Sequence, residues 1–194
     1  MNLEGYTDLP PGKIAAVVTY LEMTLPPDPL PTQAPDILRW EQPDPDEYVA
    51  LFRAIGAPWL WWGRLAMSRD QLAATLSDPC HDVFTLNSNR GRVGLVEIDR
   101  RNPEVIELSY FGLIPEALQR GHGRRMMDFA LAHVWRHRPR RFWLHTCTLD
   151  HPSALDFYRR AGFRPYRRAL EITDDPRLTG LLPETAAPQV PLIG

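Results

Sequence analysis

The chain has 194 residues, 44% of them hydrophobic and 24% charged, a composition that fits one folded domain with a sizeable core and excludes a disordered or fibrous chain. A formal net charge of -2 argues against a general nucleic-acid binder, although many arginines fall between Arg120 and Arg168. The two cysteines, Cys80 and Cys147, give no disulfide framework, the N-terminus has no targeting pattern, and no apolar run is long enough to cross a bilayer, so a cytoplasmic protein with no membrane partner is expected.

The first strand is expected at Lys13–Met23, where β-branched and aromatic residues follow a Pro-Pro-Gly turn. Prolines, 20 in all, cluster at Pro26–Pro45 and Pro183–Pro191, marking an extended connection and a loose C-terminal tail. One domain over residues 1–175, with a proline-rich tail at 176–194, is the expected organisation. From Asp46, the positions Val49, Leu51, Phe52 and Ile55 form a helical face that Asp44 or Asp46 caps and Gly56 ends. The aromatic stretch Pro58–Leu65 follows; Trp59, Trp61 and Trp62 read either as core and lid packing or as the wall of an acceptor pocket. A second helix starts at Ser68, with Gln71 completing a capping box.

Val83–Asn87 and Val93–Ile98 flank an Asn-Arg-Gly turn as a hairpin, and Asn102-Pro103 punctuates before a third antiparallel strand, Val105–Leu113. The next helix carries Met126, Met127, Ala130, Leu131 and Val134 on one face, with Arg125, Asp128 and Arg136 elsewhere. Arg141–Thr148 reads as a strand, Ser153–Ala161 as a short helix ending at Gly162, and Phe163–Ile172 as a closing strand interrupted by Pro165. No internal repeat is visible.

Between the Val105–Leu113 strand and its helix lies the turn Arg120-Gly121-His122-Gly123-Arg124. The first N–H groups of a helix lack internal partners and the helix dipole adds positive potential, so such a turn can hold a phosphate. Glycine leaves the backbone uncovered there. A Walker loop would end in Gly-Lys-Ser/Thr, which is absent, and a dinucleotide fingerprint would need a third glycine where Met126 stands.

The stretch from Glu107 to Arg124, with Pro115, Glu116, Arg120, Gly121 and Gly123, resembles the acetyl-CoA motif of the GNAT (Gcn5-related) N-acetyltransferase superfamily. The segment His151-Pro-Ser-Ala154-Leu-Asp-Phe-Tyr158-Arg-Arg-Ala-Gly162-Phe163 is similar to a second block of that family. Leu118 stands where the family usually has Gln or Arg, and His151 where it usually has Asn. The resemblance covers about Val83 to Arg168 and implies an α+β fold, a mixed, mostly antiparallel central sheet flanked by helices, that transfers acetyl groups from acetyl-CoA to an amine.

On that resemblance, the pyrophosphate rests on N–H groups of Leu118, Gln119, Arg120, Gly121, His122, Gly123 and Arg124, with the Arg124 or Arg125 side chain free to meet a phosphate. The pantetheine arm lies along the backbone near Phe111 and Leu113 as if adding a strand, and His151 hydrogen-bonds its side. Glu107, 14 residues before Gly121, has a spacing similar to that of the glutamate base of histone-modifying members. Tyr158 matches the tyrosine that protonates the departing sulfur. Ser109, next on the same face if the strand alternates, orients a water or the acceptor.

No metal is expected, since the spacing of His145, Cys147 and His151 matches no standard zinc pattern, and Cys147 reads as buried filler. The expected acceptor is a small amine with an apolar or aromatic part, and the expected state a monomer or homodimer. The alternative from another class is a non-catalytic acyl-CoA sensor or interaction module on the same fold.

Overall fold

The computed structural model describes residues 4–31, 34–89 and 91–194. In chain order it contains β1 (Lys13–Met23), β2 (Ile37–Arg39), α1 (Pro45–Gly56), α2 (Arg69–Leu76), β3 (His81–Ser88), β4 (Gly91–Asp99), β5 (Val105–Leu113), α3 (His122–Trp135), β6 (Arg141–Cys147), α4 (Ala154–Arg160) and β7 (Arg164–Asp174). Local chemistry starts the helices where the sequence says it should. Asp44 accepts from the N–H groups of Asp46 (2.8 Å) and Glu47 (3.2 Å), with Pro45 as the first helical residue of α1. Ser68 and Gln71 exchange both bonds of a capping box ahead of α2.

Seven strands form one sheet in the order β2-β3-β4-β5-β6-β1-β7. All neighbours are antiparallel except β5 and β6. The architecture is the α+β, mostly antiparallel sheet with flanking helices that the sequence implies. The expected Asn-Arg-Gly turn between β3 and β4 includes Arg90, outside the described residues. Two features are non-local and new. The proline-rich connection contributes β2, whose Ile37 lies opposite Leu86, and β1 inserts between β6 and β7.

Each face of the sheet has its own core. On one, Met126, Met127, Ala130, Leu131 and Val134 of α3 pack against Val96, Ile98, Ile106, Leu108, Phe142 and Leu144. On the other, Tyr48, Leu51, Phe52 and Ile55 of α1 and Leu72 and Leu76 of α2 cover Val83 and Leu95. Each large side chain so buried stabilises the fold by about 1.5–3 kcal/mol, so the helical periodicity and the strand alternation are set by the same two layers.

The C-terminal segment departs from expectation: it is packed, not loose. Leu182, Ala186 and Ala187 are buried with Ile14 and Leu60. Arg177, only 4% exposed, pairs with Asp175 at 2.6 Å and donates to the carbonyls of Ala186, Ala187, Val190 and Pro191. Proline removes N–H donors but leaves carbonyls, and a single guanidinium with five donors collects them.

Candidate active site

Strands β5 and β6 run parallel only through Val105, Ile106 and Glu107 opposite Arg141, Phe142 and Trp143. Beyond that point their pairing stops. The register of β5 against β4 also shifts, because Glu97 lies opposite Tyr110 but Ile98 opposite Leu108, leaving Ser109 as an extra residue. The result is a V whose crotch lies just past Glu107 and Trp143. A cavity of about 720 Å³ opens there, walled by Leu108 to Leu113 on one side and by His145, Cys147, Leu149, Asp150 and His151 on the other. Backbone groups on the facing edges of β5 and β6 are therefore left for an occupant.

The cavity reaches the glycine turn through Pro115, Leu118 and Gly123. Gly121 has φ +76°, and an added Cβ would meet nothing, so the glycine is required by conformation alone. The first i→i−4 bond of α3 runs from Arg125 N–H to Gly121 C=O at 3.2 Å. Among the described residues no side chain caps the helix, and its first turn has no acidic residue, so the N–H groups of His122, Gly123 and Arg124 precede the ladder with the dipole behind them. The Nδ1 of His122 is buried without a partner among the described residues. These groups suit a phosphate.

Three expectations about the turn are corrected. The Leu118 N–H already donates to Pro115 C=O at 3.2 Å because residues 115–117 form a 3-10 turn. Arg124 pairs with Asp128 at 2.9 Å, one helical turn on, and Arg125 with Asp36. Neither arginine is waiting for a ligand; Arg120 makes no ion pair among the described residues and is exposed, as is Gln119, at φ 59°.

Trp59, Trp61 and Trp62 also border the cavity. Trp61 does double duty: its ring packs on Phe52 and Tyr110, and its Nε1–H donates to Asp150 across the cleft at 3.0 Å. Gly112 makes room for this, because a Cβ there would come within 2.4 Å of Ile55 and 3.0 Å of Trp61. Asp150 also accepts from Thr146 Oγ1 (2.7 Å) and Cys147 N–H (2.8 Å). Gln189 in the C-terminal segment donates to Pro58 C=O at 2.6 Å, tying that segment to the tryptophan loop.

Tyr158 lines the cavity, edge-on to Phe111 and Phe163, and its hydroxyl has no hydrogen-bond partner among the described residues. Burial, and then the Asp150 carboxylate, push its phenol well above the usual range, so it holds its proton. His151 also lines the cavity, but its Nδ1 accepts from Ser153 N–H (3.1 Å) and faces Ser153 Oγ (2.8 Å). Only its Nε2 is left for a ligand. Ser109 borders the cavity too, placed by the register shift and not by the simple alternation expected. Cys147 is not buried filler: it is half-buried on the cavity wall, and burial followed by Asp150 raises its thiol to about 11.

Glu107 is the exception among the candidate catalytic residues, since it does not border the cavity. Its carboxylate lies below the crotch, 3.8 Å from Nδ1 of His145. Burial, and then Asp99, raise its pKa.

The profile of the Acetyltransferase (GNAT) family matches residues 34–163. The chain belongs to this family. No curated protein matches the sequence. Among solved structures it is similar to a protein from Novosphingobium aromaticivorans assigned to the GNAT family (19% identity, TM-score 0.61) and covers 87% of this chain and 70% of that one. A conserved protein of unknown function from Staphylococcus epidermidis gives 20% identity and a TM-score of 0.62 over 84% and 63% of the two chains. A GCN5-related N-acetyltransferase from Sphaerobacter thermophilus gives 17% and 0.57 over 85% and 52%. At these identities the likeness is one of fold.

The GNAT match excludes β1 and β7, yet Ile14 and Ala16 of β1 and Glu171 and Thr173 of β7 help wall the cavity. Sequence reasoning missed Tyr110, Asp150 and Glu171, and considered His145 only as a metal ligand. The position of Asp150 directly before the His151 block was the one local signal; Glu171 and His145 depend on strand order. Among the described residues no group of three or more His, Cys, Asp or Glu is placed to hold a metal, and no helix is long and apolar enough to cross a membrane.

Proposed function

We propose that this GNAT protein transfers the acetyl group of acetyl-CoA directly to the amine of a small acceptor with an apolar or aromatic part. The observation that carries the reading is that one cavity is bordered by Gly123 at the start of α3, by the V between β5 and β6, and by the tryptophan loop. Its α3 border suits the CoA pyrophosphate, held by N–H groups of His122, Gly123 and Arg124. The open edge of β5 near Phe111 and Leu113 suits the pantetheine amides, and a backbone N–H at the crotch polarises the thioester carbonyl.

The tryptophan-lined wall suits the acceptor. Among the described residues no Lys or Arg lines the cavity, whereas Asp150 and Glu171 do, beside Trp59, Trp61, Trp62 and Tyr110. Such a wall favours a cation with an apolar body. Chemistry then requires loss of a proton from the ammonium, attack of nitrogen on the carbonyl, and a proton for the departing thiolate. Tyr158, protonated and with no hydrogen-bond partner for its hydroxyl among the described residues, is the acid. Glu107 belongs to the proton-accepting side and acts through an intervening group.

The test is release of free CoA thiol from acetyl-CoA with phenethylamine, tryptamine and benzylamine as acceptor probes, alongside the melting temperature with acetyl-CoA. Binding at many times Kd adds about 2–4 kcal/mol, and thiol release with at least one amine is expected. The competing reading, an acyl-CoA sensor without turnover, draws on Leu118, His151 and the paired state of Arg124 and Arg125. It predicts the same thermal shift with no thiol release.

A further inference from the structure

Glu107 sits one residue short of the crotch, and 3.8 Å from its carboxylate lies the ring of His145, which does border the cavity. His145 lies on β6 two residues beyond Trp143, where β5 and β6 have parted, and faces the same side of the sheet as Glu107. Its ring is flanked by Trp143, stacked at 6.3 Å between centroids, and by Tyr20 at 5.8 Å. Arg167 covers Tyr20 at 3.9 Å. The imidazole is thus held in a slot of aromatic rings, with its side chain 46% exposed and a route for protons to solvent. Nδ1 lies 3.8 Å from a Glu107 carboxylate oxygen, beyond hydrogen-bond reach but close enough for the charge to act on it. A proton on Nδ1 attracted to that carboxylate leaves Nε2 as a lone-pair acceptor.

We infer that His145 is the group that takes the proton of the acceptor amine, and that Glu107 acts through it, its nearby charge favouring the tautomer with the proton on Nδ1 and stabilising the imidazolium that forms. This rests on the acetyl-transfer reading above. The ammonium gives one proton to Nε2 of His145, which passes it to solvent. The amine nitrogen then forms the C–N bond to the thioester carbonyl carbon. As the C–S bond breaks, the nitrogen loses its second proton through His145, and Tyr158 protonates the thiolate and is itself reprotonated from solvent. The products are amide and CoA thiol, with one proton released net.

The experiment measures CoA release from acetyl-CoA and phenethylamine by the wild type, His145→Ala, His145→Gln and Glu107→Gln, with and without added imidazole. Acetyl-CoA thermal shifts are recorded for each to establish folding and donor binding. A positioned general base contributes about 10²–10⁴-fold, so both His145 variants should lose at least about a hundredfold in kcat while retaining the thermal shift. Imidazole should restore His145→Ala, whose cavity it can enter, and not His145→Gln. Glu107→Gln should lose less in kcat, keep its KM for acetyl-CoA, and show no imidazole rescue. If His145→Ala stays within about threefold of wild type while Glu107→Gln falls about a hundredfold, Glu107 is the direct base and the inference is wrong. A loss in His145→Ala that imidazole leaves unchanged also overturns it. If the wild type itself releases no thiol with any of the amines, the acetyl-transfer reading fails, and this inference with it.

Discussion

Glu97 on β4 and Glu107 on β5 are carboxylates on neighbouring strands and on one face of the sheet, yet their surroundings differ in kind. Glu97 is fully buried and receives Arg64 (2.8 Å), His81 (2.8 Å) and the Tyr48 hydroxyl. Burial alone would raise its pKa, but Arg64, His81 and Tyr48 outweigh that and hold the carboxyl below its ordinary value. Arg64 directly follows the tryptophan loop, so this ion cluster pins one wall of the cavity. Among the described residues Glu107 has one distant partner, His145, and burial moves its pKa up. A buried charge with a full set of partners holds structure together; one left short of partners stores reactivity at a cost in stability.

The sharpest way to break this contrast is to remove Glu97. Glu97→Ala strands Arg64, His81 and Tyr48, and breaking a buried pair of this kind costs about 3–5 kcal/mol. Urea unfolding should show that loss. The depressed pKa means its contribution is present above the unfolded carboxylate value and lost as pH falls through the folded one, so the gap between wild type and variant should narrow in acid.

Tyr158→Phe comes next and should do the reverse: lower kcat by about a hundredfold, with little change in melting temperature, because the hydroxyl gives up no hydrogen bond. A smaller effect is expected at Gly121→Ala. Left-handed backbone costs a residue with a Cβ about 1–2 kcal/mol, or about 2–8 °C in melting temperature for a chain of this size. Since the substitution disturbs the first N–H groups of α3, the KM for acetyl-CoA should rise with kcat held. An unchanged KM would remove the turn from the binding site.

The smallest effect has the most telling sign. Because the pKa of Glu107 is raised in the folded state, its contribution is present below the unfolded carboxylate value, about 4.3, and is lost as pH rises through the folded one. Glu107→Gln should therefore melt higher than wild type at pH 7 and equally below about pH 4. A lower melting temperature at pH 7 would make Glu107 a structural carboxylate like Glu97.

Most of the fold was legible because its signals are local. The caps at Asp44 and Ser68, the apolar face of α3, and the turn around Gly121 state themselves within a few residues. What stayed hidden depends on distant partners. Ile37–Arg39 is too short to show alternation and becomes a strand only against β3. The place of β1 between β6 and β7 brings Ala16 and Glu171 to the cavity, and no local pattern encodes that. The tail reads as loose from its prolines, but Arg177 gathers its carbonyls. Likewise the extra residue at Ser109 and the parting of β5 from β6 decide which side chains reach the crotch. The sequence points to Glu107, while the geometry sets His145 beside it.

The most direct test is a crystal structure with CoA bound. The pyrophosphate is expected on the N–H groups of His122, Gly123 and Arg124, with pantetheine along the open edge of β5 and the sulfur within hydrogen-bonding reach of the Tyr158 hydroxyl, facing His145. CoA bound away from the start of α3, or with its sulfur turned from Tyr158 and the crotch, would contradict the assignment of this cleft to acetyl transfer.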